Sequence, residues 1–353
     1  MLSYRKPAPG PGLELTDMPA PGDPGPDEVL VSVQAVGICG SDLHVLEWDS
    51  GYEFMVPHLP VTLGHEFAGI VARTGEGVSH VSAGDRVTIW PSSPCGVCQA
   101  CRDGVTQNCS DKRTLGLYTD GAFAPQVLCR ANGAFPLPAD LDFEIGALTE
   151  PLCVGHRAVA VGGVGQGDRV LVLGPGTIGQ AIAIFARDAG AAAVAVAGYD
   201  DRARLQACAD LGFTTTYDLA QDGDRAAMER DFSGADVIFE ATGRAVSVTD
   251  GLSLLRTEGA LVMTGIHSRD VTFAPTDFVR RKLQIRASHG SRKSDWEAVI
   301  TKLRADGPAL RPMITHRLGL HDIASGFDLA RQRVASKVMV FPQDTGPEQE
   351  ADR

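Results

Sequence analysis

The sequence is poor in aromatic residues and lacks long apolar runs and clusters of positive charge. Phe, Trp and Tyr make up 6% of its 353 residues, and its formal net charge is −12. No apolar stretch reaches the roughly 18 residues needed to cross a bilayer, and residues 1–7 lack the apolar core of a signal peptide. We therefore expect no membrane partner, no signal peptide and no nucleic-acid partner.

Cysteine is also scarce, and its distribution is uneven. Four of the eight cysteines lie in one loop with the spacing C-x2-C-x2-C-x7-C. Four thiolates at such spacings can surround one tetrahedral ion, which predicts a closed zinc site that holds the loop and catalyses nothing. Disulfides and an iron–sulfur cluster are the alternatives, and the absence of any mark of secretion disfavours disulfides. The predicted ligands are Cys95, Cys98, Cys101 and Cys109.

The remaining composition is that of a globular protein, and the chain is long enough for two domains. Up to about residue 150, short alternating runs such as 29–36 are separated by Gly and Pro, which indicates a β-rich domain. Apolar strand patterns at 169–173, 193–197, 235–239 and 260–263 then alternate with helical patterns. That alternation predicts an α/β domain with a parallel sheet covered on both faces. Free or metal-bound thiols fit a cytoplasmic location.

A glycine-rich segment, Gly174-Pro-Gly176-Thr-Ile-Gly179, follows the predicted strand at 169–173 and opens a helical pattern. This context is typical of a dinucleotide-binding turn. Gly174 permits the tight turn, Gly176 lets the pyrophosphate approach the backbone, and Gly179 lets the helix pack closely on the strand. The helix N-terminus then favours the phosphates. The predicted cofactor-binding residues of this turn are Gly174, Gly176, Thr177, Ile178 and Gly179.

The next predicted strand runs into Gly198-Tyr-Asp200-Asp201-Arg202, at the place where an acid usually accepts a hydrogen bond from the ribose 2′-OH. An ungapped count puts Gly198 at the position of that acid. A glycine would leave room for a 2′-phosphate, which Arg202 could bind, whereas Asp200 and Asp201 would repel it. We favour NAD on charge and leave NADP open, with Asp200 and Arg202 as cofactor-binding candidates. A solvated first helical turn is the alternative role of these charged residues.

Two further segments lie in the β-rich part: Gly37-Ile-Cys39-Gly-Ser41-Asp42-Leu-His44 and Gly64-His65-Glu66. Each has an ordinary explanation when taken alone, because single cysteines and histidines are usually packing residues. Together with Gly84-Asp-Arg-Val87, the four-cysteine loop and the Gly174–Gly179 turn, in this order, they make the chain resemble the zinc-dependent medium-chain dehydrogenase/reductase family over nearly its whole length.

The resemblance implies a GroES-like catalytic domain formed by both ends of the chain and a Rossmann domain inserted between them. The catalytic domain would comprise residues 1–153 and 290–342, with a zinc lobe at 92–112, and the Rossmann domain residues 154–289. The polar residues 343–353 are expected to form a disordered tail. A homo-oligomer, with a tetramer favoured over a dimer, is also expected, and residues 283–286 are a candidate contact.

The resemblance also implies a second, catalytic zinc and hydride transfer between an alcohol and a nicotinamide. The segment Thr149-Glu150-Pro151-Leu152 is similar to the polyol (sorbitol-type), butanediol and threonine dehydrogenase branches. Cys39, His65 and a carboxylate would then hold the metal. In the sorbitol-type pattern Glu66 is the ligand and Glu150 lies near the bound water; in other relatives Glu150 binds. Cys39 and one carboxylate neutralise the ion, which favours one carboxylate at a time.

In the family mechanism zinc lowers the pKa of a bound alcohol, and a proton must leave for solvent. The resemblance implies that Ser41 takes this proton, and His44 could continue the relay because the pKa of histidine lies near working pH. A surface or packing role is the alternative for His44. Cys153 is expected to be a buried core thiol rather than a ligand.

The substrate is the part that the sequence determines least. By analogy residues 45–58 line the cleft entrance, where Trp48 and Phe54 could wall a pocket and Glu47 or Asp49 could bind hydroxyls or an amine. We favour a polyol, cyclitol or sugar-like secondary alcohol. A 3-hydroxy amino acid or amino alcohol is the alternative substrate. A non-catalytic zinc- and nucleotide-binding regulatory protein of the same fold is the alternative function.

Overall fold

The computed structural model describes residues 1–343, in which strands form three sheets that helices cover. The tail was predicted to comprise residues 343–353, and all of it except Gln343 lies outside the described residues. Gln343 donates hydrogen bonds from its amide to the carbonyls of Val33 and Pro125, at 3.0 and 2.8 Å. Within residues 1–343, no helix combines the length and the apolar character that a bilayer crossing requires.

The strands are short and are labelled in chain order. They are β1 (Leu2–Lys6), β2 (Glu14–Asp17), β3 (Glu28–Gly37), β4 (Val61–Thr62), β5 (Glu66–Thr74), β6 (Arg86–Ile89), β7 (Gln126–Arg130), β8 (Ala134–Pro136), β9 (Arg169–Leu173), β10 (Ala193–Gly198), β11 (Thr216–Asp218), β12 (Ala235–Glu240), β13 (Leu255–Met263), β14 (Gln284–Ala287), β15 (Ile314–Gly319) and β16 (Lys337–Phe341).

The α-helices are labelled in the same way. They are α1 (Gly40–Glu47), α2 (Gln99–Arg102), α3 (Phe143–Ala147), α4 (Thr149–Gly162), α5 (Thr177–Asp188), α6 (Arg202–Asp210), α7 (Asp224–Phe232), α8 (Ala245–Leu254), α9 (Pro275–Arg280), α10 (Lys293–Asp306) and α11 (Ile323–Arg331).

Six strands form a parallel sheet in the order β11-β10-β9-β12-β13-β14. The central strand β9 is buried along almost its whole length, as its continuous apolar run requires when helices cover both faces. The chain adds strands toward one edge of the sheet from β9 to β11, and toward the other edge from β12 to β14. Sheets of this order bind a dinucleotide in the crevice at the carboxyl ends of the two strands, here β9 and β12, between which the order changes. The apolar strand patterns predicted at 169–173, 193–197, 235–239 and 260–263 all lie in this sheet, which confirms the α/β class.

The second large sheet has the order β15-β16-β3-β5-β6-β8, with β7 paired to β3. Its neighbouring strands are antiparallel except for β15 and β16. Met339 in β16 pairs with Gly37 in β3, so the C-terminal part of the described chain completes the N-terminal sheet. This pairing carries Lys337 to the end of β3, where the Cys39 segment begins. The strands β2, β1 and β4 form a small third sheet.

Helix α4 carries the chain from the antiparallel part to the parallel sheet. Glu150 and Pro151 lie in its first turn, where an acid complements the helix dipole and a proline needs no N–H partner. The helix stops at Gly163, which adopts the left-handed conformation with a φ of 67°. The boundary expected between residues 153 and 154 lies inside α4, so a continuous helix occupies the position where a linker would be expected.

Candidate active site and metal centres

Cys39 is held at the start of α1 by a reciprocal cap. It is the N-cap residue, and its N–H donates to Asp42 Oδ2 at 2.9 Å. The Asp42 carboxylate therefore fixes the backbone that carries the thiol, in the manner of a capping box. The sequence run from Cys39 to Asp42 is thus a helix start built around one cysteine.

His65 follows a glycine turn that leads into β5. Gly64 has a φ of 92°, and a Cβ there would lie 2.8 Å from the backbone nitrogen of Phe123, so only glycine fits. His65 is 7% exposed, with Nε2 3.4 Å from Ser41 Oγ and Nδ1 3.7 Å from Asp42 Oδ1. A carboxylate behind the imidazole is the arrangement that orients a metal-binding histidine.

Glu66 forms a fully buried ion pair that the sequence analysis did not anticipate. Lys337 Nζ lies 2.5 Å from Glu66 Oε2 and donates to the Ile38 carbonyl at 2.9 Å. A Cβ on Gly37 would lie 2.6 Å from Glu66 Oε2, so the missing side chain makes room for the pair. Burial lowers the pKa of Lys337, but the charges of Glu66 and Cys39 outweigh this effect and raise it, so the ammonium stays charged.

Three candidate ligands converge on one point. The thiol of Cys39, a ring nitrogen of His65 and a carboxylate oxygen of Glu66 lie within 4.8 Å of one another. Glu66 Oε1 is buried without a hydrogen-bond partner, as expected of an oxygen that is free to bind a metal. A thiolate, an imidazole and a carboxylate form a zinc donor set that leaves a fourth position open. The residues therefore fit a catalytic zinc.

Glu150, the competing carboxylate, is not part of this group of ligand atoms. It is partly exposed in the first turn of α4. Burial raises the pKa of its carboxyl to about 7, while His65 lowers this pKa and Glu66 raises it. Its charge is therefore coupled to those of two candidate ligands. Cys153, one turn further along α4, is fully buried in the core, as expected.

Ser41 and His44 lie one turn apart on α1 and share a helix face. His44 Nδ1 is 2.6 Å from Asp49 Oδ2, and the His44 side chain is 35% exposed. Its ring stacks on Tyr52 with the centroids 6.0 Å apart. Among residues 1–343 no hydrogen bond joins Ser41 directly to His44, so a relay between them needs an intervening group.

An aromatic row extends from His44 on α1 toward the surface. Tyr52 stacks with His44 and lies 5.9 Å from Phe54, which lies 5.1 Å from Tyr118. Burial raises the pKa of Tyr52, and the charges of Cys39, Asp42 and Asp49 raise it further. Phe54 is 38% exposed, so the row reaches solvent. The prediction that Phe54 walls a pocket is compatible with this placement.

Trp48 does not extend the row, although it was a candidate for the pocket wall. It caps α1 in a left-handed conformation with a φ of 57°, which turns the chain away from the helix. The Lys6 ammonium lies 5.0 Å from the ring centroid, and the ring packs against the core of the antiparallel part. The indole is therefore a packing residue here.

The glycine-rich turn has the geometry that its sequence predicts. Gly174 has a φ of 115°, and a Cβ on Gly179 would lie 1.8 Å from the Gly174 carbonyl oxygen, so neither position tolerates a side chain. A Cβ on Gly176 would meet nothing within 4 Å, so open space adjoins the N-cap of α5. Thr177 and Ile178 begin this helix and carry N–H groups without helical partners. The turn therefore fits a dinucleotide pyrophosphate.

The end of β10 has no room for the expected acid. A Cβ on Gly198 would lie 2.9 Å from Pro175 Cγ, because the glycine-rich turn packs directly over this position. Asp201 is buried and pairs with Arg204 at 3.4 Å, which commits its carboxylate within the protein. Of the charged candidates, Asp200 and Arg202 are exposed at this edge and Asp201 is not.

A buried pair at the next strand ends was missed by the sequence analysis. Glu240 is 0% exposed and accepts hydrogen bonds from the N–H groups of Thr242 and Gly243 and from His267 Nε2, the last at 2.9 Å. These contacts tie together the loops that follow β12 and β13, at the edge of the sheet that faces a dinucleotide. Glu240 ends β12 and His267 lies in the loop after β13, so no local spacing reveals the pair.

The four-cysteine loop also converges. Cys98 Sγ lies 3.4 Å from Cys101 Sγ, Cys95 Sγ lies 3.9 Å from Cys101 Sγ, and the backbone N–H of Cys95 donates to Cys109 Sγ at 3.2 Å. Tetrahedral zinc with bonds of about 2.3 Å sets its sulfurs about 3.8 Å apart. None of the eight cysteines, all of which lie within residues 1–343, forms a disulfide. The thiols therefore fit one zinc ion.

Backbone groups supply the electrostatics of this loop. The N–H groups of Ser110 and Cys101 lower the pKa of Cys98 to about 6, and those of Val97 and Cys98 lower the pKa of Cys95. Such donors favour thiolates, the form that binds a metal. The Arg130 guanidinium anchors the loop by donating to the Asp111 carbonyl at 2.7 Å and to its carboxylate at 2.6 Å.

Comparison with known proteins shows that the chain is similar to zinc-binding dehydrogenases over most of its length. The model of the alcohol dehydrogenase GroES-like domain matches residues 25–139, and that of zinc-binding dehydrogenases matches residues 177–305. The sorbitol dehydrogenase of Halalkalibacterium halodurans is 31% identical over 326 residues, which are 91% of this chain and 93% of that protein. The L-threonine 3-dehydrogenase of Bacillus velezensis is 32% identical over 335 residues, which are 94% of this chain and 96% of that protein.

A solved structure extends the similarity to the fold. A protein from Sinorhizobium meliloti, described as a zinc-binding dehydrogenase and bound to NADP, superposes with a TM-score of 0.82. It is 31% identical in sequence, and the match covers 97% of this chain and 99% of that one. The similarity thus spans both large sheets.

Proposed function

The chain belongs to the zinc-dependent medium-chain dehydrogenase/reductase family, and on this premise we propose that it oxidises a polyol, cyclitol or sugar-like secondary alcohol. The observation that carries the proposal is the convergence of Cys39, His65 and Glu66, next to the helix whose His44 begins the aromatic row. When bound, the zinc polarises the substrate hydroxyl as a Lewis acid and the nicotinamide accepts the hydride. The protein residues hold the metal ion, orient the substrate and neutralise part of the charge of the ion.

In this proposal Glu66 is the carboxylate ligand, and Glu150 lies near the bound water. Lys337 changes the charge argument, because the formal charges of a Cys39 thiolate, Glu66 and Lys337 sum to −1 rather than −2. A divalent ion at this site therefore keeps an excess positive charge, which favours the deprotonated form of a substrate hydroxyl.

The proton leaves along the face of α1. Ser41 lies beside His65, and the half-exposed His44 one turn further on connects this face with solvent. The Asp49 carboxylate holds the His44 ring in place. A water or a substrate hydroxyl bridges Ser41 and His44 in this path.

The aromatic row supports a polyol over an amino alcohol. Asp49 was one of two acids that could have bound substrate hydroxyls or an amine, and its Oδ2 is hydrogen-bonded to His44. The aromatic row instead offers apolar faces to the C–H surface of a sugar-like substrate. The threonine-dehydrogenase alternative requires a free carboxylate near the row to bind the substrate ammonium. The remaining candidate for that carboxylate is Glu47, an exposed residue at the end of α1.

The test is a panel of sorbitol, a butanediol, an inositol-type cyclitol and threonine, each with NAD and with NADP. We expect turnover of at least one polyol or cyclitol with a kcat/KM well above that of threonine. Phe54→Ala should raise KM for this substrate, while Phe273→Ala, at an equally exposed phenylalanine of the parallel-sheet part, should not. Turnover of threonine alone would replace the proposal by its alternative, and no turnover with any alcohol would favour the regulatory one.

The cofactors in this proposal are two zinc ions per chain and NAD. The exposed Asp200 lies at the edge where a 2′-phosphate would have to sit, which supports NAD on charge. The exposed Arg202 opposes this preference, so the panel compares both dinucleotides directly. Zinc analysis should give two ions per chain, one in the four-thiolate loop and one at Cys39.

We also propose the division of the chain and its assembly. Residues 1–153 and 290–342 form the catalytic domain, with α4 as a continuous helical connection to residues 154–289. The protein assembles as a homo-oligomer, with a tetramer favoured over a dimer, and the exposed edge strand β14 is the candidate contact. Eight thiols without a disulfide suit a reducing compartment, so we place the protein in the cytoplasm.

A further inference from the structure

A short segment links the parallel-sheet part to the candidate metal site. Residues 330–336, called the strap below, lead from the end of α11 into β16. Arg204 on α6 donates to the carbonyls of Ala330 and Ala335, at 3.1 and 3.0 Å. Arg333 of the strap donates to the Tyr199 carbonyl at 3.3 Å, at the end of β10. The strap is therefore fastened to the two elements that flank the adenosine side of the sheet.

Gln180 on α5 makes the contact closest to the glycine-rich turn. Its side chain is fully buried, and Nε2 donates to the Pro175 carbonyl at 2.8 Å and to Ser336 Oγ at 2.7 Å. The amide has two N–H groups, so both are used, one for the turn and one for the strap. Gln180 Oε1 is buried without a partner, which is unfavourable in a helix that otherwise buries apolar residues. An apolar residue would avoid this unpaired oxygen but could not join turn and strap.

The strap ends at the metal site. Ser336, held by its N–H donating to Thr315 Oγ1 at 2.9 Å, directly precedes Lys337. Lys337 in turn binds Glu66 and the carbonyl next to Cys39. A chain of hydrogen bonds with one covalent step thus runs from the carbonyl inside the dinucleotide turn to a candidate zinc ligand.

We propose that Gln180 is a positioning residue that couples occupation of the dinucleotide turn to the metal site through Ser336 and Lys337. The inference rests on the proposed function, because it takes the turn as the cofactor site and the Cys39 cluster as the metal site. Hydride transfer needs the reacting atoms about 3–3.5 Å apart, so two halves that carry cofactor and metal must keep a fixed register. Gln180 supplies one fixed point of that register, on the turn itself.

The test measures the affinity for ADP-ribose, which can fill the turn but carries no nicotinamide to approach the metal. Calorimetric dissociation constants are compared for protein with both sites loaded with zinc and for protein in which a chelator has left only the loop zinc. We expect ADP-ribose to bind the fully loaded wild type at least about fivefold more tightly, the lower end of usual coupling between sites. In cobalt-loaded wild type, ADP-ribose should also shift the visible cobalt spectrum.

Two variants locate the coupling. Gln180→Met keeps the volume and loses both donors, and Ser336→Ala removes only the contact across the two halves and leaves the turn intact. Both should bring the metal-dependent ratio of ADP-ribose affinities close to one, while Ser336→Thr, which keeps a hydroxyl, should preserve it. Gln206→Met, on the exposed side of α6, is the matched control and should behave as wild type.

The outcomes separate this inference from the function that it rests on. If ADP-ribose and the zinc at Cys39 both bind but the wild-type ratio of ADP-ribose affinities is one, the coupling is wrong and the proposed function stands. The same holds if Ser336→Ala keeps the wild-type ratio of affinities. If Gln180→Met weakens ADP-ribose binding equally in both metal states, Gln180 only builds the turn and the inference also fails. Absence of ADP-ribose binding, or of metal at Cys39, would instead overturn the proposed function.

Discussion

The two metal sites of this protein are built in opposite ways. The four-thiolate loop takes all its ligands from one short stretch, exposes them partly and stabilises the thiolates of Cys95 and Cys98 with backbone N–H groups. The Cys39 site takes its ligands from two separate segments, buries His65 and Glu66, and places the buried ammonium of Lys337 against the carboxylate. A local site can be changed with local consequences, whereas the Cys39 site depends on the packing of residues far apart in the chain.

The largest difference should appear when one ligand is removed from each site. Cys39→Ser should lower kcat/KM by about a thousandfold or more, because a Lewis acid contributes several kcal/mol to such reactions. The fold should survive, since the thiol sits on an N-cap whose backbone contact with Asp42 remains. Steady-state rates, zinc content and thermal unfolding measure these three effects.

Cys98→Ser is the matched change in the loop and should act in the reverse way. Loss of the loop zinc removes the tie that orders residues 92–112, so this segment should become sensitive to proteases. The rate per intact molecule should change far less than in Cys39→Ser. Equal losses of activity in the two variants would contradict the division of roles.

A second comparison concerns the charge that only the Cys39 site contains. Lys337→Met leaves Glu66 buried without its cation, and breaking a buried pair in this way costs about 3–5 kcal/mol of unfolding free energy. Urea unfolding of the metal-free protein measures it. Lys282→Met breaks the exposed pair with Glu258 and should change the unfolding free energy far less, because water screens both charges. A similar cost for both would mean that the buried pair is better solvated than its exposure indicates.

A smaller effect should come from Asp42→Asn. The amide oxygen can still accept the Cys39 N–H, but the negative charge behind His65 is lost. Loss of such a partner lowers metal affinity by about 10–100-fold. Competition with a chromophoric chelator measures the affinity of the Cys39 site, and the loop site serves as the internal reference. Unchanged affinity would show that Asp42 acts only as the helix cap.

The smallest effect is expected at the rim of the loop. Hydrogen bonds from Arg113 and Arg130 lower the pKa of Asp111, but the carboxylate is 41% exposed. Asp111→Asn should therefore cost about 1 kcal/mol or less at neutral pH. Because the pKa is lowered in the folded state, this contribution is present above a pH of about 4 and is lost as pH falls below it. Thermal unfolding at pH 7 and pH 3 tests the sign.

The features that the sequence predicts are those encoded within short stretches. The loop cysteines, the Gly174–Gly179 turn and the strands of the parallel sheet each appear within a few residues of one another, where spacing determines geometry. The family resemblance adds the distant Cys39 and His65. These expectations cover the fold class and identify the residues that the structure brings together.

The features that the sequence does not predict depend on tertiary packing. Lys337 meets Glu66 only because β16 joins β3, and Gln180 meets Ser336 only because the strap packs on α5. The sequence suggested that Trp48 walls a pocket, but it caps α1 in a left-handed conformation and its ring contacts Lys6. Polar partners on distant segments leave no periodic pattern, so no reading of spacing could have found them.

Gly37 shows how far such packing extends the metal site. The residue binds nothing, yet any side chain there would occupy the space of the Glu66–Lys337 pair, with Glu66 Oε2 2.6 Å and Lys337 Cδ 3.3 Å from a Cβ. In a mutational scan, Gly37 should therefore be as intolerant as the metal ligands themselves. A selection for activity would therefore reject substitutions of Gly37 as it rejects those of the metal ligands. An inherited change at Gly37 would be harmful although it alters no group that reacts.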